Sequence, residues 1–138
     1  MTDISVTAAS VVASNAAVRK RGIAGATITA GQTLYADSAA SYVLKLADND
    51  ASAATAVIVG IALNGAASGQ PVEYVVEDPD FTPGATVAAG TIYVASSTAG
   101  GIAPAADLGQ GDYCTVLFVG KSTTKAVMKL IAAGAVVP

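Results

Sequence analysis

The stretch GIALNGAASGQPVEYVV, residues 60–76, decides the fold class. An apolar run ends at Leu63, a cluster rich in Asn, Gly and Ser follows, and a β-branched run opens at Pro71. That grammar predicts a strand, a turn and a second strand. Asn64 and Gly65 carry the strong hairpin signal, and the further AASG through Gly69 lengthens the loop beyond two residues. Nothing in the stretch points to chemistry.

The same pattern extends in both directions. From residue 22 onward, short β-branched runs alternate with Gly, Asn, Asp and Pro clusters: ATITAG, QTLYAD, YVLKLAD, TAVIVGIAL, QPVEYVVED, ATVAAG, TIYVAS, GIAPAAD, YCTVLFVG and KAVMKLIA. The expectation is one all-β domain over residues 22–138, a compact sandwich or barrel, preceded by an N-terminal arm over residues 1–21. The arm is Ser, Thr, Ala and Val ending in the basic cluster VRKR, and its structure is expected to depend on its contacts. An internal repeat of about 59 residues is also visible. ATITAGQTLYA (26–36) aligns with ATVAAGTIYVA (85–95), VIVG (57–60) with LFVG (117–120), and Gly31 with Gly90. Two related β units follow, about 22–82 and 83–138. Gly31 and Gly90 each sit where a turn with positive φ joins a β-branched run to a Tyr-bearing strand.

Composition narrows the function classes. Only 12% of residues are charged, 31 are Ala, there is no Trp, and seven are Phe or Tyr. The core is expected to be Val, Ile, Leu and Ala. A surface so poor in charge predicts that a sizeable area is covered by a partner or by further copies. No Lys or Arg occurs from residue 46 to 120, a stretch holding eight of the ten carboxylates, and the net charge is −3. Nucleic acid is therefore not an expected partner. The longest purely apolar run is far short of a bilayer span, and the basic residues of the N-terminus follow its apolar stretch, unlike a secretory signal; a soluble protein made in a cytoplasm is expected. The lone Cys114 excludes an internal disulfide and reads as a small buried hydrophobe.

A search for catalytic groups finds little. There is no histidine, which removes the commonest base and metal ligand. Glu77, Asp78 and Asp80, with Glu73 before them, are the one carboxylate cluster, and the adjoining Pro79 and FTPG favour a solvated turn over a site. Asp48, Asn49 and Asp50 read as a turn for the same reason. No nucleophile elbow or phosphate loop is present. No cofactor or metal is expected. Arg19, Lys20 and Arg21 either anchor the arm to an acidic partner surface or are a solvated charge run.

The ordered phrases AGATITAGQTLYAD, VGIALNGAASGQPV, ATVAAGTIYVASSTAGGIAPAADLGQGDY and TVLFVGKSTT, spanning about residues 22–125, resemble the head decoration or capsid cement proteins of tailed bacteriophages. The resemblance implies an all-β protein with no catalytic residues. It implies binding to the major capsid protein on the outside of an assembled head as homo-oligomers, trimers in preference to dimers, clamping coat subunits together. Synthesis would then be in the host cytoplasm and the final location the virion surface. Two alternatives stand beside it. A receptor- or carbohydrate-binding module would need several of Tyr35, Tyr42, Tyr74, Tyr93 and Tyr113 exposed together. A small hydrolase would need Glu77, Asp78 or Asp80 at work.

Overall fold

The computed structural model describes residues 3–49 and 57–136, with side chains through residue 131. Ten strands form: β1 (Val11–Val12), β2 (Val18–Ile23), β3 (Thr33–Asp37), β4 (Val43–Leu46), β5 (Gly60–Ala62), β6 (Pro71–Pro83), β7 (Ile92–Ala95), β8 (Ile102–Pro104), β9 (Tyr113–Gly120) and β10 (Ala126–Val136). Three single 3-10 turns are the helical content of the described residues. The chain is all-β, as expected, in the form of a curled antiparallel half-barrel.

Its organising element is β6. Tyr74 and Val75 pair with Lys20 and Arg19 of β2, and also with Ala62 and Ile61 of β5. Glu77 pairs with Val18 of β2 and with Lys129 of β10. A strand has only two hydrogen-bonding edges, so β2 lies along one, and β5 and β10 share the other. β1 continues the line of β2, with Val11 and Val12 opposite Pro83 and Thr82. The residues expected to form a contact-dependent arm thus find their contacts within the same chain.

From the shared edge two branches diverge and repeat the same connections. β6 pairs β5, β5 pairs β3 and β3 pairs β4; in the other branch β10 pairs β9, β9 pairs β7 and β7 pairs β8. The turns that start the two branches match bond for bond. The Gly31 N–H donates to the Ala62 carbonyl (2.8 Å) and the Ala62 N–H to the Gln32 carbonyl (2.9 Å). The Gly90 N–H donates to the Gly120 carbonyl (2.7 Å) and the Gly120 N–H to the Thr91 carbonyl (2.9 Å). Both glycines take positive φ, +93° and +81°, a region that costs any L-residue with a Cβ.

The main core lies between the branches and contains Ile61, Val75, Phe81, Tyr93, Leu117, Phe118 and Met128. The core is mainly Val, Ile, Leu and Ala, as expected from composition, and three aromatics join it. Phe118 meets Phe81 edge-on at 6.2 Å and stacks on Tyr93 at 5.2 Å, and the Tyr93 hydroxyl accepts the Ala88 N–H (2.9 Å). A second core covers the outer face of the first branch: Leu34, Ala62 and Val72 are roofed by Ala24, Ile28 and Ala66. The Ile28–Ala66 backbone bridge pins that roof.

The hairpin of residues 60–76 is present, but Asn64 and Gly65 do not take the positive φ of a two-residue turn. The loop spans residues 63–70. Asn64 closes it with its side chain, whose oxygen accepts the Glu73 N–H (2.7 Å) and whose amide donates to the Gly65 carbonyl (3.0 Å), while Gly69 supplies the positive φ of +90°.

Gly31 and Gly90 give a paired test. A Cβ on Gly90 meets nothing within 4 Å, whereas one on Gly31 overlaps the Val6 side chain and approaches Val11 at 3.1 Å. Gly90→Ala is expected to cost roughly 1 kcal/mol, the conformational term alone. Gly31→Ala should cost clearly more, because the arm must also shift, and equilibrium denaturation of the two variants measures the difference.

Candidate binding surface

β2 is an edge strand that stands largely in solvent. Five of its six residues are exposed, and among the described residues it pairs only with β6. The basic cluster lies at its centre and divides into two roles. The Arg19 guanidinium donates to the Glu73 carboxylate (3.3 Å) and to the carbonyls of Ala13 and Ser14 (3.2 and 3.3 Å). It closes the bulge between β1 and β2. Arg21 reaches Glu73 only at 3.9 Å with its side chain 73% exposed, and Lys20 projects without a polar partner among the described residues. The free cations of the edge are thus Lys20 and, in large part, Arg21.

The carboxylate cluster is dispersed by the strand it lies on. Asp78 points inward and is fully buried. It accepts the Ser14 N–H (2.7 Å), the Ser14 hydroxyl and the Asp80 N–H (2.9 Å), so it fastens the arm rather than facing a substrate. A buried carboxylate supplied with charge-assisted hydrogen bonds is a fixed structural anchor. Glu77 points outward opposite Lys129, and Asp80 is paired with Lys121 at 2.9 Å. The expected solvated turn is instead the long β6, running through Pro79 to Pro83. No signal in the sequence could have joined Ser14 to Asp78, 64 positions apart.

Asn49 also departs from the turn expected of it. It is 1% exposed; its N–H donates to the Ser96 carbonyl (3.1 Å), its side-chain amide to the Ala95 carbonyl (2.9 Å), and its own carbonyl accepts the Tyr113 N–H (2.7 Å). It ties one branch to the other. Asp50 lies outside the described residues.

The tyrosines do not gather into a platform. Tyr93 is buried, Tyr35 packs on the main core and Tyr74 on the second core, and Tyr42 stands 70% exposed at the β3–β4 turn. Cys114 is half-buried and unpaired by any disulfide. A hollow of about 290 Å³ is lined by the hydroxyl residues Ser5, Thr7, Ser10, Thr82, Thr86 and Thr124. Among the described residues no cluster of His, Cys, Asp and Glu is suited to a metal ion, and no helix is long and apolar enough to cross a membrane. No protein-family model matches the chain, and neither a curated protein nor a solved structure matches it.

Two ion pairs respond to acid, Asp80–Lys121 half exposed and Asp37–Lys45 partly buried. The Lys121 hydrogen bond and charge hold Asp80 below its ordinary value of 3.8, and the Lys45 hydrogen bond, helped by the Ala39 N–H, does the same for Asp37. A carboxylate depressed on folding contributes stability that is whole above 3.8 and is lost as the pH falls through its folded value. Because the Asp80–Lys121 pair is half exposed and solvent-screened, Asp80→Asn should leave the neutral-pH melting temperature nearly unchanged and flatten a small part of its acid dependence.

Asp78 is expected to behave differently. Asp78→Ala should lower stability by about 2–3 kcal/mol, the scale of hydrogen bonds to a charged group. Amide exchange over residues 11–23 should accelerate more than over β9, which hydrogen-exchange mass spectrometry resolves directly.

Proposed function

We propose that this chain is a non-enzymatic structural protein that binds the outer surface of an assembled phage head and stabilises contacts between coat subunits. The major capsid protein is its partner, and its place is the virion exterior after synthesis in the host cytoplasm. The observation that carries the reading is the open, basic edge of β2 on a scaffold whose carboxylates are largely taken up in holding the fold. Such an edge suits strand addition by an extended, acidic segment: main-chain bonds supply affinity, and Lys20 and Arg21 supply register.

A cement protein works by binding energy alone. It binds the assembled shell better than the free subunits and shifts the equilibrium by mass action, and many copies on one shell make modest affinities sufficient. β2 is already ordered against β6, so docking carries no cost of ordering the strand. The resemblance seen in the sequence and the low surface charge favour the same reading, with the protein acting as a homo-oligomer. The hydroxyl-lined hollow beside Thr82 favours a carbohydrate-binding module instead, without the aromatic face such sites usually have.

Co-sedimentation with expanded heads that lack the protein tests the proposal. Saturable binding at a fixed ratio to coat subunits, with raised heat resistance of the heads, is the expected result. Lys20→Glu combined with Arg21→Glu should weaken binding about tenfold or more and reduce its salt dependence. Deleting the arm is a poor substitute, because Val11 is part of the main core. Absence of binding, with glycan-array hits in its place, would overturn the reading.

A further inference from the structure

The outer faces of the two branches are treated differently. On the first branch, Leu34, Ala62 and Val72 are covered by the chain's own Ala24, Ile28 and Ala66. On the second, the corresponding face is covered only in part: Val94 and Ala103 are buried, whereas among the described residues nothing roofs the stretch beside them. Ile92, Val119 and Val127 stand directly opposite one another on β7, β9 and β10, and Ile92 and Val127 are 43% and 46% exposed. Directly opposed residues share a face, so these form one apolar row. The next row continues it through Lys129 of β10, Glu77 of β6 and Val18 of β2, with Ile131 at 55% exposure beside them.

In the middle of this face sit one carboxylate and one ammonium, Glu77 and Lys129, with Lys20 of β2 at its margin. The Glu77 and Lys129 side chains are cross-strand neighbours, yet neither has a hydrogen bond or ion pair among the described residues. An acidic partner would leave Glu77 unsatisfied, and a basic one would leave Lys129 and Lys20. A second copy of the same chain, related by a two-fold axis, satisfies both Glu77 and Lys129, because each contact then occurs twice with the roles exchanged. The face crosses five adjacent strands, about 19 Å at the usual strand spacing of roughly 4.8 Å. That is wide enough for the apolar centre of an interface of about 800 Å² per partner, with neighbouring loops as the rim.

We infer that the outer face of β2, β6, β10, β9 and β7 is an isologous homodimer interface, in which Glu77 of each copy meets Lys129 of the other and the Ile92, Val119 and Val127 rows pack together. Of the oligomers expected from the sequence, this face selects the dimer. The inference is independent of the capsid reading, since the dimer forms in solution with no shell present.

Sedimentation equilibrium on the purified full chain, with Glu77→Lys and Lys129→Glu as single variants, is the test. The wild-type chain should be a dimer, and each single reversal should raise its dissociation constant about tenfold or more by placing like charges together. An equimolar mixture of the two variants should regain the dimer. In the mixed pair one copy carries only ammonium groups at positions 77 and 129 and the other only carboxylates, so both contacts across the two-fold axis again join opposite charges. Intramolecular effects of the reversals cannot be rescued by mixing, and circular dichroism of each variant checks that it is folded. A monomeric wild type, unchanged association of the single variants, or a mixture that stays apart would each overturn the inference. Binding to heads is measured separately, by co-sedimentation.

Discussion

A β-strand offers two hydrogen-bonding edges and no more, and the architecture follows from how the edges of β6 are divided. At thirteen residues it is the longest strand, against three in β5. One edge is taken by β2 and, after a gap at residues 78–81, by β1; the other is taken first by β5 and then by β10. Because β5 and β10 meet the same edge at different heights, the sheets they lead must part, and the space between them becomes the main core. The bulges at Val18/Arg19 and Ala126/Met128 lie where the strand passes from one neighbour to the next. They rotate the side chains so that Val75, Asp78 and Phe81 all turn inward while Glu77 turns out.

Burial of Asp78 is a consequence of that rotation. An inward carboxylate in an apolar setting is tolerated only when its oxygens are occupied, and Ser14 brings both a backbone and a hydroxyl donor to it. The arm and the strand therefore stabilise each other. Arg19 performs the complementary task at the surface, collecting the carbonyls of Ala13 and Ser14 beside the bulge and linking them to Glu73. The cation and anion clusters that stood out in the sequence are in large part fastenings of the arm, and what remains free for a partner is Lys20, most of Arg21, Glu77 and Lys129.

The low charge of the chain has a structural counterpart. A half-barrel has an outer face that must be covered or wetted, and here one branch is covered by Ala24, Ile28 and Ala66, while the other buries Val94 and Ala103 but leaves Ile92 and Val127 largely exposed. The two branches share pairings and turns but not roofs: Ala24 and Ile28, in the loop before the first branch, join the second core, whereas Val87, in the loop before the second branch, is committed to the main core.

Local rules made several features legible. The β-branched runs, the punctuation by Gly, Asn and Asp, and the need for glycine at Gly31, Gly69 and Gly90 are properties of single residues and their immediate neighbours, so the sequence by itself determined an all-β chain with matched turns. It also determined that histidine, the commonest general base, is absent. Tertiary structure alone decided that the arm is an edge strand of its own domain, that two phenylalanines and Tyr93 meet in one core, that Asn49 is buried between branches, and that Asp78 faces inward to Ser14. Each of these depends on which residues far apart in sequence become neighbours across a ladder. A one-residue bulge reverses the face of everything after it, and no composition or motif records where such a bulge will fall.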